Sequence, residues 1–377
     1  MSGLSAVRIW AVLVKEFKQL TRDRLTYAMI LALPIVQLIL FGYAINTEPR
    51  HLPTAVLVQE DSVLARSTLA AMTNSGFFDI ERTARTPAEL DALIRRGEVQ
   101  FGVTIPGDFT RRVARGDRPQ ILVEADATDP SATGGAAAAL AALPAHALAH
   151  DLKGALAQRG LSQAPFEVVV HRRYNPAAVT AYNIVPGLLG VILSMTLVMM
   201  TALSVTREAE RGTMESLLAT PVEPIEVMIG KLAPYVLVGL AQTVIVLTLA
   251  RLLFGVPMAG GWIGLTLGVS LFIVGSLALG FLISTVARSQ LQAMQMSVFY
   301  ILPSILLSGF MFPFHGMPAW AQAIGQVIPV THFLRIVRGA LLKGLEAHEM
   351  WRELTALAAF VCVVTALAMA RYRRTLD

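Results

Sequence analysis

Six stretches of about 20 mostly apolar residues constrain this chain more than anything else in it. They lie at 25–45 (LTYAMILALPIVQLILFGYAI), 182–204 (YNIVPGLLGVILSMTLVMMTALS), 229–253, 261–285, 292–313 and 353–370. A helix rises about 1.5 Å per residue, so about 20 residues cross a hydrocarbon core of about 30 Å. A soluble core has no use for six such runs in 377 residues. Only 15% of the residues are charged, against roughly 25% in a soluble chain. The expected fold is therefore an α-helical integral membrane protein with six transmembrane helices.

The charges are unevenly spread. Residues 46–180 hold about half of them, balanced in sign. Within that stretch TAVLVQ, VQFGVTI, QILVEA and FEVVVH are short runs of strand type. SVLARSTLAAMT, PAELDALIRRG and DFTRRVARG between them have helical period, and an Ala-rich helix is expected over 133–158. This predicts an α/β domain inserted between the first two spans.

Lys and Arg set the orientation. Arg8, Lys15, Lys18, Arg22 and Arg24 precede the first span. Arg207, Arg211 and Lys231 follow the second, Arg288 follows the fourth, and Arg371, Arg373 and Arg374 follow the sixth. With six spans all of these share one side, which puts both termini in the cytoplasm and the 46–180 domain outside it. The first run is too long for a signal-peptide core and lacks a small-x-small cleavage site, so it is kept as a span. The exception to the charge rule is 314–352, with Arg335, Arg338, Lys343 and Arg352 on the outer side. Its stretch VTHFLRIVRGALLKG reads as an amphipathic helix in the outer interface. Phe333, Ile336, Val337 and Leu341 would be its apolar face, and Arg335, Arg338 and Lys343 would reach lipid headgroups. Contact of the two arginines with an anionic lipid or substrate is the sharper alternative.

Several features are weaker. Gly260, Gly264 and Gly268 recur every four residues and predict close helix packing, within the chain or between two copies. Pro34, Pro186 and Pro303 each fall inside a span. The net charge of +5 sits at span ends and not in a basic stripe, so nucleic acid is not an expected partner. His146 and His150 are four apart but no third metal ligand is identifiable. His348-Glu349 opens like H-E-x-x-H, yet Arg352 stands where the second His belongs. The single cysteine, Cys362, lies in an apolar run. No metal, cofactor or catalytic constellation is expected on this chain.

The longest connection on the cytoplasmic side is VTREAERGTMESLLATPVEPIEVMIGK, from Val205 to Lys231. It is charged yet helical in period. Glu208 and Arg211 are three apart, and Arg211 and Glu215 four apart, so both pairs share a face. Thr220, Pro221 and Glu223 form a capping arrangement, so one short helix should end near Ala219 and a second begin at Pro221. A stiff amphipathic helix here would suit a cytoplasmic partner; a solvated connection fits the same pattern.

ERGTMESLLATPV, flanked by TRE and GK-x-x-PY, resembles the cytoplasmic loop of ABC-2-type exporter permeases. KEFKQLTRDR, FGYAIN, RRYNP with IVPG, STVARSQLQAMQ, LPSILLSGFMFP and MPAWAQAIGQVIPVTHFLRIVRGALLKG resemble other parts of that family, in order. The likeness covers nearly the whole chain and is nearest to the multidrug-type subgroup with a large extracytoplasmic insertion. It implies a cytoplasmic interfacial helix at 1–24, with Lys15, Glu16, Lys18, Arg22 and Asp23 as its signature. It also implies a coupling loop at 205–228 that docks on the ATPase through Arg207, Glu208, Glu210, Arg211, Gly212, Thr213, Glu215 and Leu218, and a re-entrant outer segment at 314–345.

The chain has no G-x-x-x-x-G-K-[ST], so P-loop binding of ATP and Mg falls to a separate ATPase subunit. A second permease chain is implied, identical or homologous, together with membrane lipids and, as an open option, a periplasmic adaptor. The expected function is export across a bacterial inner membrane. With almost no charge in the spans, the cargo would be amphipathic or hydrophobic, drug-like or lipid-like. The rival class is a membrane sensor that reports an outside signal through the same loop; co-purification of an ATPase separates the two.

Overall fold

The computed structural model describes residues 49–152, 164–210 and 224–374. The interfacial segment with Lys15, Glu16, Lys18, Arg22 and Asp23, and the first apolar run, lie outside the described residues.

The chain folds first into a five-stranded sheet. Its strands are β1 (Leu52–Val58), β2 (Phe78–Thr83), β3 (Phe101–Ile105), β4 (Gln120–Asp126) and β5 (Glu167–Arg173), in the order β2-β1-β3-β4-β5. Every neighbouring pair is parallel except β3 with β4. Strand β1 is an interior strand covered on both faces, so its apolar residues run without polar alternation. Leu52 and Val56 face one layer and Ala55 and Leu57 the other. The first layer holds helices α1 (Val63–Asn74), α3 (Phe109–Arg115) and α4 (Pro130–His146); the second is α2 (Pro87–Arg95). Side-chain caps start two of these helices. Ser62 accepts from the Ala65 amide at 3.1 Å, and Thr86, followed by Pro87, accepts from the Glu89 amide at 3.2 Å.

Two sequence expectations change here. Strand β2, FDIERT, was not anticipated, because Phe78 is its one fully buried residue and an exposed charged edge strand carries little apolar signal. The Ala-rich helix spans 130–146, not 133–158. It closes two residues after Pro144, whose ring nitrogen cannot donate to the preceding turn.

The rest is helical. Helices α5 (Thr180–Glu210), α6 (Pro224–Phe254), α7 (Trp262–Val286), α8 (Gln290–Leu307) and α11 (Trp351–Arg374) match the last five apolar runs, and among the described residues five are long and apolar enough to cross a membrane. Helix α7 is the hub and packs against α5, α6, α8 and α11. Helices α6 and α11 leave apolar faces open, including Leu237, Val244, Leu252, Val363 and Leu367. The fifth run was expected to continue to 313, but α8 stops at Leu307. Gly309 takes φ +81, a left-handed conformation that ends a helix cheaply only at glycine.

Between α8 and α11 lie α9 (Ala319–Gly325), α10 (Pro329–Arg338) and a π-helical turn, Gly339–Lys343. This segment does not float on a lipid surface with one face wet. Eight of the ten residues of α10 are buried, and the Phe333 ring stacks on Phe272 of α7 at 4.1 Å and 7°.

The Gly260-Gly264-Gly268 series also differs from expectation. Helix α7 starts at Trp262, so Gly260, at φ +146, is in the turn before it. Gly264 and Gly268 do face neighbours inside this chain: a Cβ would come within 3.2 Å of the Ala347 Cα and 2.7 Å of the Ile336 Cγ2. Gly261 is the more demanding position. It has φ +70, and a Cβ there would sit 2.1 Å from the Leu345 carbonyl oxygen.

Candidate functional site

At one end of the bundle the α/β domain meets α10, the π turn and the start of α11 around a cleft of about 590 Å³. Val99, Gln100 and Thr128 line it from the domain; Ser308, Leu334 and Met350 line it from the bundle. The cations that broke the charge rule are in its walls: Arg335, Arg338 and Lys343 have partners elsewhere in the chain, while Arg352 is exposed over the Trp351 ring.

Lys343 forms an ion pair with Asp126 at the end of β4, with side chains 8% and 10% exposed. Its ammonium also stands 5.2 Å from the centre of the Tyr174 ring. Asp126 is fixed from behind by the Thr128 amide and hydroxyl, which donate to it at 3.1 and 2.9 Å. Burial pushes the Tyr174 hydroxyl up to about 12, so it stays protonated in any ordinary buffer. A second tie joins Arg95, at the end of α2, to Glu349. Burial works to raise the Glu349 carboxyl, but the hydrogen bond from Arg95, that from the Glu346 amide and the nearby positive charge together outweigh it and hold the group below the usual carboxylate range. A third is the Asn183 amide of α5, which donates to Asp129 at 3.3 Å.

Arg335 donates to Glu353 at 3.2 Å, and its guanidinium lies over the Phe314 ring at 4.8 Å. His332 faces Glu353 with Nδ1 and the Gln326 carbonyl, at 2.8 Å, with Nε2. Both neighbours of the ring are acceptors, so this arrangement is satisfied with two protons on the imidazole or one on the carboxyl. His315 lines the same cleft; burial first, and then Arg335, lower its proton affinity. Arg338 is different. Both of its Nη atoms donate to one carbonyl, that of Gly309, at 3.2 Å each, and its Nε is buried with no acceptor. Burial pushes this guanidinium below its ordinary value. Sequence reasoning marked Arg335, Arg338 and Lys343 but missed these partners, which are 18 to 217 residues away in sequence and unmarked by any local pattern.

At the opposite end of the bundle, α5 runs six residues past the expected span end at 204, because nothing in SVTREAE breaks a helix. Arg207, Glu208 and Glu210 are thus in the last turns of the spanning helix and not in a separate loop helix. Glu210 accepts from the backbone amide of Gln290 at 2.8 Å and from its side-chain amide, so it caps the start of α8. The Arg207 Nε donates to the Gln290 side chain at 3.3 Å. Arg211, Gly212, Thr213, Glu215 and Leu218 lie outside the described residues.

Comparison with known proteins adds to this geometry. The family model described as ABC-2 family transporter protein matches residues 24–370. The chain is 31% identical over 381 residues to "Probable multidrug ABC transporter permease YbhS" of Escherichia coli K12, covering 99% of each chain. It is 26% identical over 367 residues to "Probable multidrug ABC transporter permease YbhR" of the same organism, covering 97% of this chain and 98% of that one. With "Inner membrane transport permease YhhJ" it shares 27% over 378 residues, 96% of each.

Proposed function

This chain is a member of the ABC-2 transporter family with several membrane-spanning helices, and from that premise we propose that it is the permease half of an ATP-driven exporter of the bacterial inner membrane. A separate cytoplasmic ATPase binds ATP and Mg and docks on the 205–228 segment, and a second permease chain completes the transporter. The α5–α8 end, with Arg207 and Arg288, faces the cytoplasm; the α/β domain and the 314–345 segment face outward. Both termini are cytoplasmic. The cargo is an amphipathic or hydrophobic molecule, drug-like or lipid-like, in keeping with spans poor in charge and with the names of the relatives.

Coupling requires that ATP binding favour one arrangement of the spans over another. A push on the segment after α5 reaches α8 through the cap that Glu210 makes on Gln290. Helix α8 ends at Gly309, whose carbonyl is gripped by Arg338 of α10, and the π turn after α10 carries Lys343 to the α/β domain. One polar chain thus runs from the ATPase side to the outer domain. The Glu210 cap supports this reading most, because it joins the resembled coupling segment to a second span.

The test is to purify the chain with the ATPase it captures in lipid and measure ATP hydrolysis. A stable complex is expected, with hydrolysis stimulated by amphipathic compounds. Arg211→Glu should abolish stimulation, and Glu210→Ala should reduce it several-fold while leaving the complex intact. In a Cys362→Ser background, a cysteine at 211 that labels only from outside the cell would overturn the proposal. Ligand binding without export would favour the sensor reading.

A further inference from the structure

We propose that the cleft between the α/β domain and α10 binds an amphipathic anion, with its phosphate or carboxylate head on Arg338 and its apolar body along Phe314, Leu334 and Met350.

Among the described residues two arginines lining the cleft have no carboxylate in contact, Arg338 and Arg352; Arg352 is exposed over the Trp351 ring, so Arg338 is the enclosed one. Lys343 has Asp126, Arg95 has Glu349 and Arg335 has Glu353. Among the described residues Arg338 has no carboxylate within 4.0 Å; Asp129 and Asp126 act on it only through space. A guanidinium offers five N–H donors in a planar fork. Here two of them share the single Gly309 carbonyl, and the Nε hydrogen meets nothing. Leaving a partly buried cation so poorly matched is costly. A phosphate or carboxylate is the group that matches the unspent donors in number and geometry.

The surroundings define the rest of the ligand. The cleft volume, about 590 Å³, falls within the range of roughly 300–1,000 Å³ typical of small-molecule sites. Apolar side chains stand on the bundle wall, and the Phe314 ring is held in place by Arg335, itself locked to Glu353. Leu334 and Met350, 1% and 3% exposed, form the floor behind the more open rings of Phe314 and Trp351; a small inorganic anion would leave those rings bare, whereas a headgroup with a chain or ring system would cover them. Two sources share this chemistry: an anionic lipid of the membrane, and a soluble amphiphilic anion passing through the transporter. The proposal goes beyond the permease reading, and binding can be read without transport.

The full chain, in nanodiscs of phosphatidylcholine, is titrated with dihexanoyl phosphatidylglycerol, with the phosphatidylcholine of the same chain length, and with inorganic phosphate. Saturable binding of the phosphatidylglycerol is expected. It should weaken about tenfold or more in Arg338→Gln, less in Arg338→Lys, and not at all in Arg66→Gln, an exposed arginine of the α/β domain. Competition by phosphate would support a site that reads the free anionic head; lack of competition would support a lipid-type ligand that needs its chains. Equal binding of phosphatidylcholine, or unchanged binding in Arg338→Gln, would overturn the site. Should Arg338→Gln not fold, a phosphatidylglycerol with a diazirine in its acyl chain is crosslinked to the wild-type chain. Adducts on Phe314, Leu334 or Met350 support the proposal, and adducts confined to the open faces of α6 and α11 refute it.

Discussion

Lys343 and Asp126 are 217 residues apart in sequence and meet with both side chains almost fully enclosed. Desolvating two charges costs several kcal/mol each, so such a pair is a poor source of net stability, but breaking it by removing one partner is severe, about 3–5 kcal/mol. Lys343→Met and Asp126→Asn should each lower the melting temperature in detergent by several degrees. The double variant should recover more than half of the loss, because it strands no charge; a plain sum of the two losses would show that the groups do not act as a pair. Asn is chosen because it can still accept from Thr128. His315 permits a pH prediction. Its folded proton affinity lies below the unfolded value near 6.5. As pH falls through about 6.5 the unfolded ring takes up a proton first, so stability is full above that pH and declines below it. The drop in melting temperature between pH 7.5 and 5.5 should be smaller in His315→Asn than in the wild type, measured by scanning fluorimetry. From sequence, Lys343 was a polar tip that would reach lipid headgroups, since nothing near it in the chain signals what lies opposite.

At the scale of elements, helix α7 depends on bare backbone. A Cβ at Gly280 would lie 2.5 Å from the Val198 carbonyl oxygen and 2.8 Å from the Thr201 Cβ, on α5, where backbone cannot yield without moving the helix. At Gly275 the nearest atoms are a Phe360 ring carbon and a Val361 methyl, both side-chain atoms at 3.3 Å that need give by only a few tenths of an ångström. Overpacking costs about 1–3 kcal/mol, while the gain in helix propensity from Gly to Ala is about 1 kcal/mol. Gly280→Ala should therefore destabilise the protein and Gly275→Ala be close to neutral, which paired thermal melts in one detergent would check. Spacing in the sequence marked 260, 264 and 268. It put small residues on α7, but the helix start excludes 260, and the close approach to the α5 backbone at Gly280 was not marked because Phe272 and Ser276 interrupt the glycine series before it. The α10 segment shows the opposite case. Its apolar stripe was legible, but an apolar stripe against lipid and one against α7 look alike in sequence.

At the scale of the molecule, the α/β domain is tied to the bundle through the Lys343, Arg95 and Asn183 contacts, at the end away from the Glu210 cap. If export requires this junction to open, fixing it should stop export without touching the ATPase. In a Cys362→Ser background, Arg95→Cys and Glu349→Cys joined by a short bismaleimide should leave basal ATP hydrolysis intact and abolish compound export from inverted vesicles. Undiminished export in the crosslinked protein would mean that domain and bundle move as one body. An α/β domain after a first apolar run, and a bundle after it, could both be read before any coordinates, because membrane spans and buried strands are written in local hydrophobic period.

The sequence by itself determined the classes of element, their order, the positions of the last five spans within a few residues, and a likeness to ABC-2 permeases that spans the chain. Each of these depends on residues near one another along the chain or on whole-chain pattern. The tertiary structure alone decided that Glu353 answers Arg335 and Asp126 answers Lys343, that the enclosed Arg338 has no carboxylate in contact, and that Glu210 caps a helix 80 residues onward. Those are pairings between distant segments. Coulomb and hydrogen-bond energies depend on distances of a few ångströms that packing sets and local sequence does not encode.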